Sequence, residues 1–142
     1  MPDNNVATRV LVVSALEEDH DALRRVLRGP QWTMSSARGL LEAWITLHQE
    51  KIDVVLTECE FEAGMTWRDL VEEIGEMQSP PPVIVASRLA DNTLWSEVLN
   101  RGGYDLLRKP FDVIETLHAL TMASPAPDSQ DGCVAVGVGL IR

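Results

Sequence analysis

Three short apolar runs set the terms for this chain: residues 9–14 (RVLVVS), 53–57 (DVVLT) and 83–87 (VIVAS). Each is rich in β-branched residues, and none alternates apolar with polar as a strand with one wet face would. That pattern belongs to strands covered on both sides, as in a parallel sheet flanked by helices. Parallel neighbours need a crossover of a dozen or more residues, usually a helix. The stretches between the runs supply them.

A helix follows residue 16. Glu17, Glu18 and Asp19 fill its first turn and Arg24, Arg25 and Arg28 its end, which complements the helix dipole, and Gly29-Pro30 stops it. Its apolar face is Leu16, Leu23, Val26 and Leu27, and the three acids read as a solvated helix start. Residues 31–36 read as a short strand. The spacing then predicts a helix over 38–49, with Leu40, Leu41, Trp44, Ile45 and Leu47 buried. Thr66-x-x-Asp69 is a capping box for a helix through Leu70, Val71, Ile74 and Met77, ended by Ser79 and three prolines. Asp91 caps a helix carrying Leu94, Trp95, Val98 and Leu99, which Gly102-Gly103 closes. Residues 104–107 form a fifth strand, Lys109-Pro110 a turn, and residues 112–122 a last helix.

Five strands alternating with five helices predict right-handed crossovers and an α/β fold: a doubly wound, three-layer, five-stranded parallel sheet of flavodoxin-like type. The 142 residues suit one such domain. We read residues 1–8 as an N-terminal tail, 9–122 as the domain, and 123–142 as a linker (SPAPDSQDG) with an apolar, glycine-broken tail over 133–141. In open sheets of this kind the site lies beyond the carboxyl ends of the strands. Attention therefore falls on residues 14–17, 58–61, 87–88 and 108–109.

Bulk properties narrow the function. Twelve basic against 22 acidic residues give a formal charge of −10, which argues against nucleic acid as a partner. No run nears the ~18 apolar residues of a membrane span, and residues 1–5 lack the basic and apolar regions of a secretory signal. The expected location is cytoplasmic. Cys59 and Cys133 stand far apart without the close Cys or His neighbours of a zinc site, and read as reduced thiols. His20, His48 and His118 are scattered over three helices, and the four tryptophans over four elements. There is no G-x-S-x-G elbow and no glycine-rich nucleotide fingerprint.

One constellation is more specific. Ser87 ends the fourth strand, the run at residues 83–87, and Gly102, Asp105, Lys109, Pro110 and Phe111 form a Gly-x-x-Asp-x-x-x-Lys-Pro-Phe run. With the order of elements, this resembles the receiver domain of bacterial response regulators over roughly residues 8–122. The resemblance implies a phosphoacceptor aspartate ending the third strand, an acidic pair after the first strand holding Mg²⁺, and a hydroxyl and a lysine on the phosphoryl oxygens. The chemistry suits those types: a carboxylate nucleophile, a cation neutralising the transferring phosphoryl, and donors for its remaining oxygens. It also implies a cis Lys109-Pro110 bond.

The chain departs from that pattern at its centre. Glu58 stands in the phosphoacceptor position, and Ser14 and Ala15 in those of the acidic pair. Leu106 replaces the usual switching aromatic, with Tyr104 nearby, while Ser87 and Lys109 are retained as phosphoryl contacts. The loop after Glu58 is about one residue longer than usual. The expectation is a degenerate receiver, not an enzyme and without metal or cofactor, in which Glu58 sets a permanent negative charge near Lys109. It would act through protein partners, a sensor kinase or a downstream effector. The resemblance places the contact and any homodimer on the face of the fourth helix, fifth strand and fifth helix, with Trp95, Tyr104 and Leu106. Two alternatives stay open: a working phosphoacceptor using Mg²⁺, with Glu17, Glu18 or Asp19 folding back as a ligand or Glu60 as a displaced acceptor, and a flavodoxin-like ligand-binding domain or small enzyme.

Overall fold

The computed structural model describes residues 7–125. Five strands, β1 (Thr8–Val13), β2 (Trp32–Ala37), β3 (Val54–Glu58), β4 (Val83–Ser87) and β5 (Asp105–Arg108), form one parallel sheet in the order β2-β1-β3-β4-β5. The helices are α1 (Glu17–Val26), α2 (Leu40–Gln49), α3 (Trp67–Gly75), α4 (Asn92–Asn100) and α5 (Val113–Ala123). The doubly wound sheet expected from the three apolar runs is present.

Alternation along each strand divides the core in two. Val10 and Val12 of β1 point to a layer with Leu23 and Val26 of α1 and Leu120 of α5. Leu11 and Val13 point the other way, to Leu47 of α2, Trp67 and Leu70 of α3, and Val98 of α4. Each such side chain, fully buried, contributes about 1.5–3 kcal/mol.

The helix starts follow their caps. Thr66 Oγ1 accepts from Arg68 N at 3.2 Å while Asp69 accepts from Thr66 N at 2.8 Å, completing the box. Asp91 accepts from Leu94 N, and Asp112 from Glu115 N. Between β3 and α3 the loop makes a tight turn at Glu62–Gly64, with Ala63 and Gly64 left-handed at φ 61° and 75°. That turn folds the chain back so that Phe61 N donates to Met65 O at 2.8 Å.

Several expectations need correcting. β2 and β5 each begin one residue later than read, because β2 registers Thr8 on Trp32 and β5 registers Ile84 on Asp105. α2 starts at Leu40, after an extended Gly39. Of its five expected core residues only Leu47 is fully buried, joined by Ala43, while Leu41 is 72% and Ile45 45% exposed. Two positions along a helix is about 200° of rotation, so residues 41 and 45 face away from the buried 43 and 47. Leu16 at the start of α1, and Trp95 and Leu99 of α4, are also substantially exposed.

The opposite error occurs in α1. Its first turn is not a uniformly solvated acidic start: Asp19 and His20 are buried. They lie four and three residues before Leu23, on the stripe that faces the sheet. Residues 126–142, including the apolar stretch 133–141 and Cys133, lie outside the described residues. Among the described residues no helix is long and apolar enough to cross a membrane.

Candidate functional site

The carboxyl ends of β1, β3 and β4 and the turn after β5 bring Ser14, Glu58, Ser87 and Lys109 to one edge of the sheet. Lys109 reaches inward. Its Nζ donates to Oδ2 of Asp19 at 2.8 Å and also ion-pairs with Oε1 of Glu58. The Lys109 and Asp19 side chains are only 5% and 6% exposed, and that of Glu58 19%.

Asp19 is the hub. The same Oδ2 accepts a hydrogen bond from the Ser14 hydroxyl at 2.7 Å. Ser14 Oγ accepts in turn from Leu16 N at 3.0 Å, and Ser14 N donates to Ala37 O at 3.0 Å, which ties the end of β1 to the start of α1 and to β2. Burial alone pulls an ammonium below its ordinary value, but hydrogen bonds and attraction from Asp19 and Glu58 outweigh it and hold Lys109 above that value. A buried carboxylate without a counter-charge would be costly; here the ammonium and a hydroxyl satisfy it.

His20, next to Asp19, donates from Nε2 to Ser14 O at 2.8 Å; a carbonyl only accepts, which assigns the proton to Nε2. Its Nδ1 is buried and has no hydrogen-bond partner among the described residues. Ser87 sits at the flank: its hydroxyl oxygen accepts from Leu89 N, and its carbonyl accepts from Lys109 N at 3.0 Å. The half-buried Cys59 thiol is pushed up by burial, against the opposing pull of a hydrogen bond with Ser87. Ala15 is exposed at the rim. The Lys109-Pro110 bond is cis.

The neighbouring acids do not join the cluster. Glu17 pairs with Arg38, whose hydrogen bond lowers its pKa, and Glu18 pairs with Arg88 at 2.9 Å. Glu60 is exposed and bridges to Thr66. On the face of α4, β5 and α5, Trp95 and Leu106 line one depression with Arg108 and Glu115. Tyr104 lies apart from it, packed on the α1–α5 layer with its hydroxyl donating to Met122 O at 3.1 Å.

The family model of the response regulator receiver domain matches residues 4–121. The chain belongs to that family. Among solved structures, the signal receiver domain of an HD domain-containing protein from Pseudomonas fluorescens Pf-5 is 24% identical, with TM-score 0.77 over 89% of this chain and 93% of that one. A response regulator from Thermotoga maritima is 26% identical, with TM-score 0.73 over 82% and 96%. The chemotaxis protein CheY4 of Vibrio cholerae is 20% identical, with TM-score 0.74 over 83% and 99%. Among curated proteins no match is found.

Receiver domains hold Mg²⁺ at their phosphorylation site, and the donor set of this receiver does not fit that ion. Mg²⁺ takes a near-octahedral shell of hard oxygens and sheds water reluctantly. Ser14 offers one hydroxyl, already given to Asp19, and Ala15 offers a methyl group. Both remaining carboxylates face the Lys109 ammonium. Among the described residues no group of three or more His, Cys, Asp or Glu side chains is placed to hold a metal.

The residue that sequence reading undervalued is Asp19. Helical periodicity carried the signal: stepping back from Leu23 by three and four lands on His20 and Asp19. What concealed it was chemistry, since an acid beside two other acids in a first turn reads as dipole-matched and wet.

Proposed function

We propose that this receiver domain is a signalling module that works by protein–protein contact, without Mg²⁺-dependent phosphorylation of its site. One observation carries the reading: Lys109, the group that would bind an incoming phosphoryl, is already held by two carboxylates, Asp19 and Glu58. On this reading Glu58 takes the phosphoacceptor position as a fixed charge, and Asp19 supplies negative charge from α1 in place of an acidic pair at Ser14 and Ala15. Ser87 and Lys109 keep the phosphoryl-contact positions without a phosphoryl to bind.

The chemistry supports this. A carboxylate engaged by an ammonium is a weaker nucleophile than a free one. Glutamate also sets its oxygens about 1.5 Å, one bond length, beyond those of aspartate, and in-line transfer tolerates little displacement. With no bound phosphoryl to read, the switch position needs no aromatic, and Leu106 stands there. Output then comes from a standing surface. The face of α4, β5 and α5, with exposed Trp95 beside Leu106, is the surface we assign to a sensor kinase or downstream effector, or to a second copy. Activity would be constitutive or set by concentration, and the domain would not itself be an enzyme.

Intact-mass spectrometry after incubation with a small-molecule phosphodonor, with and without Mg²⁺, tests the proposal. The expected result is no added phosphoryl mass in either sample, while the triple variant Ser14→Asp, Ala15→Asp, Glu58→Asp acquires a Mg²⁺-dependent adduct. A Mg²⁺-dependent adduct on the native chain, mapped to Glu58 or Glu60, would overturn it.

A further inference from the structure

A second surface lies on the other side of the sheet from α5. Two adjoining depressions, about 530 and 270 Å³, share Leu40, Leu41 and Met65 and form one groove between α2 and α3. It begins at Ala15 and Phe61, beside the ion cluster, and runs past Trp44 and Leu70. Its apolar floor is unusually open: Leu41 is 72% exposed and Met65 39%. The helical rotation that turns Leu41 and Ile45 away from the sheet is what leaves this surface in water.

The rim is predominantly acidic. Glu62 stands at the upper end and Asp69, Glu72 and Glu73 along α3. Glu62, Glu72 and Glu73 form no ion pair among the described residues, and Arg38, the basic residue at the mouth, is spent on Glu17. An apolar floor with an acidic rim selects against several occupants. A second copy would bring acid to acid, and nucleic acid or an anionic membrane would be repelled. We infer that the groove docks a basic amphipathic helix of a partner protein, its leucine-type residues on Leu41 and Met65 and its lysines or arginines against Glu72 and Glu73. This surface stands apart from the phosphorylation question and holds whichever way that is decided.

The probe is a synthetic amphipathic helix of leucine and lysine, titrated into the ¹⁵N-labelled full chain and followed by NMR. A peptide of the same composition, scrambled to lose its apolar stripe, serves as control. The expected result is saturable movement of the Trp44 indole and the Leu41 and Met65 amides by the amphipathic peptide. Leu41→Asp, and separately the pair Glu72→Lys with Glu73→Lys, should weaken binding about tenfold or more, the scale of one good contact at an interface centre. Trp95→Ala on the opposite flank should leave it unchanged. All these positions are exposed, so the variants keep the fold, and an unaltered thermal melt verifies it. Equal binding of the scrambled peptide, shifts centred on α4 and β5, no binding, or self-association through the groove would each overturn the inference.

Discussion

Helices α1 and α2 make the same kind of contact with the sheet from opposite faces, yet each contradicts its own composition. The first turn of α1 is polar throughout and buries Asp19 and His20; α2 is apolar along most of its length and leaves Leu41 and Ile45 in water. Position around the helix, not residue type, decides what faces the strands. The two exceptions then have different fates. The buried acid of α1 is met at Oδ2 by both Lys109 and Ser14, because an unmatched one could not be tolerated. The exposed leucine and isoleucine of α2 cost little and find no cover among the described residues. A satisfied polar interior closes a site, and an uncovered apolar exterior opens one.

The strongest way to break this comparison is to strand the buried acid. Lys109→Met leaves Asp19 without its counter-charge and should lower stability by about 3–5 kcal/mol in urea unfolding. Glu17→Ala, in the same helical turn but exposed, should leave the urea midpoint nearly unchanged. Equal small effects would mean that Asp19 is solvated after all. Within α2, Leu47→Ala should cost about 2–5 kcal/mol, whereas Leu41→Ala should fall within about 0.5 kcal/mol. A large loss at Leu41 would make it core and remove the case for an open groove.

Removing the acid instead of the base is gentler. Asp19→Asn leaves Lys109 with Glu58 and should cost about 1–3 kcal/mol, the scale for disturbing a buried hydrogen-bonded polar group. Because Asp19 and Lys109 touch, the double variant should cost less than the sum of the singles, by about 0.5–3 kcal/mol. Strict additivity would show that the pair contributes no coupling.

The fold was legible because its determinants are local: β-branched runs for buried parallel strands, and Thr66 and Asp91 as helix caps. Strand ends moved by one residue where inter-strand register, which a single sequence does not carry, overrode the run boundaries. The site was legible in part. Ser87, Lys109 and Glu58 could be set by their order along the chain, since consecutive strands of a doubly wound sheet end on the same edge. Asp19 could not, because its role depends on a lysine 90 residues away folding back onto the first turn of α1. Exposure in α2 was missed for a similar reason. Five apolar residues in one helix outnumber the stripe the sheet can cover, and only packing says which remain outside.

The ammonium of Lys109 offers the most direct test of the central claim, that this site is occupied by its own charges. Attraction from Asp19 and Glu58 holds Lys109 above its ordinary value of 10.5 in the folded chain. The cluster's stabilisation is therefore complete below that pH and is lost as pH rises through the higher folded value. Proton–nitrogen NMR of the lysine Nζ groups, followed through an alkaline titration, reads this without altering the protein. The expected result is a resolved Lys109 signal that titrates above 10.5 and does not move when Mg²⁺ or a phosphodonor is added. A Lys109 signal that titrates at or below that value, or shifts saturably with Mg²⁺, would contradict it.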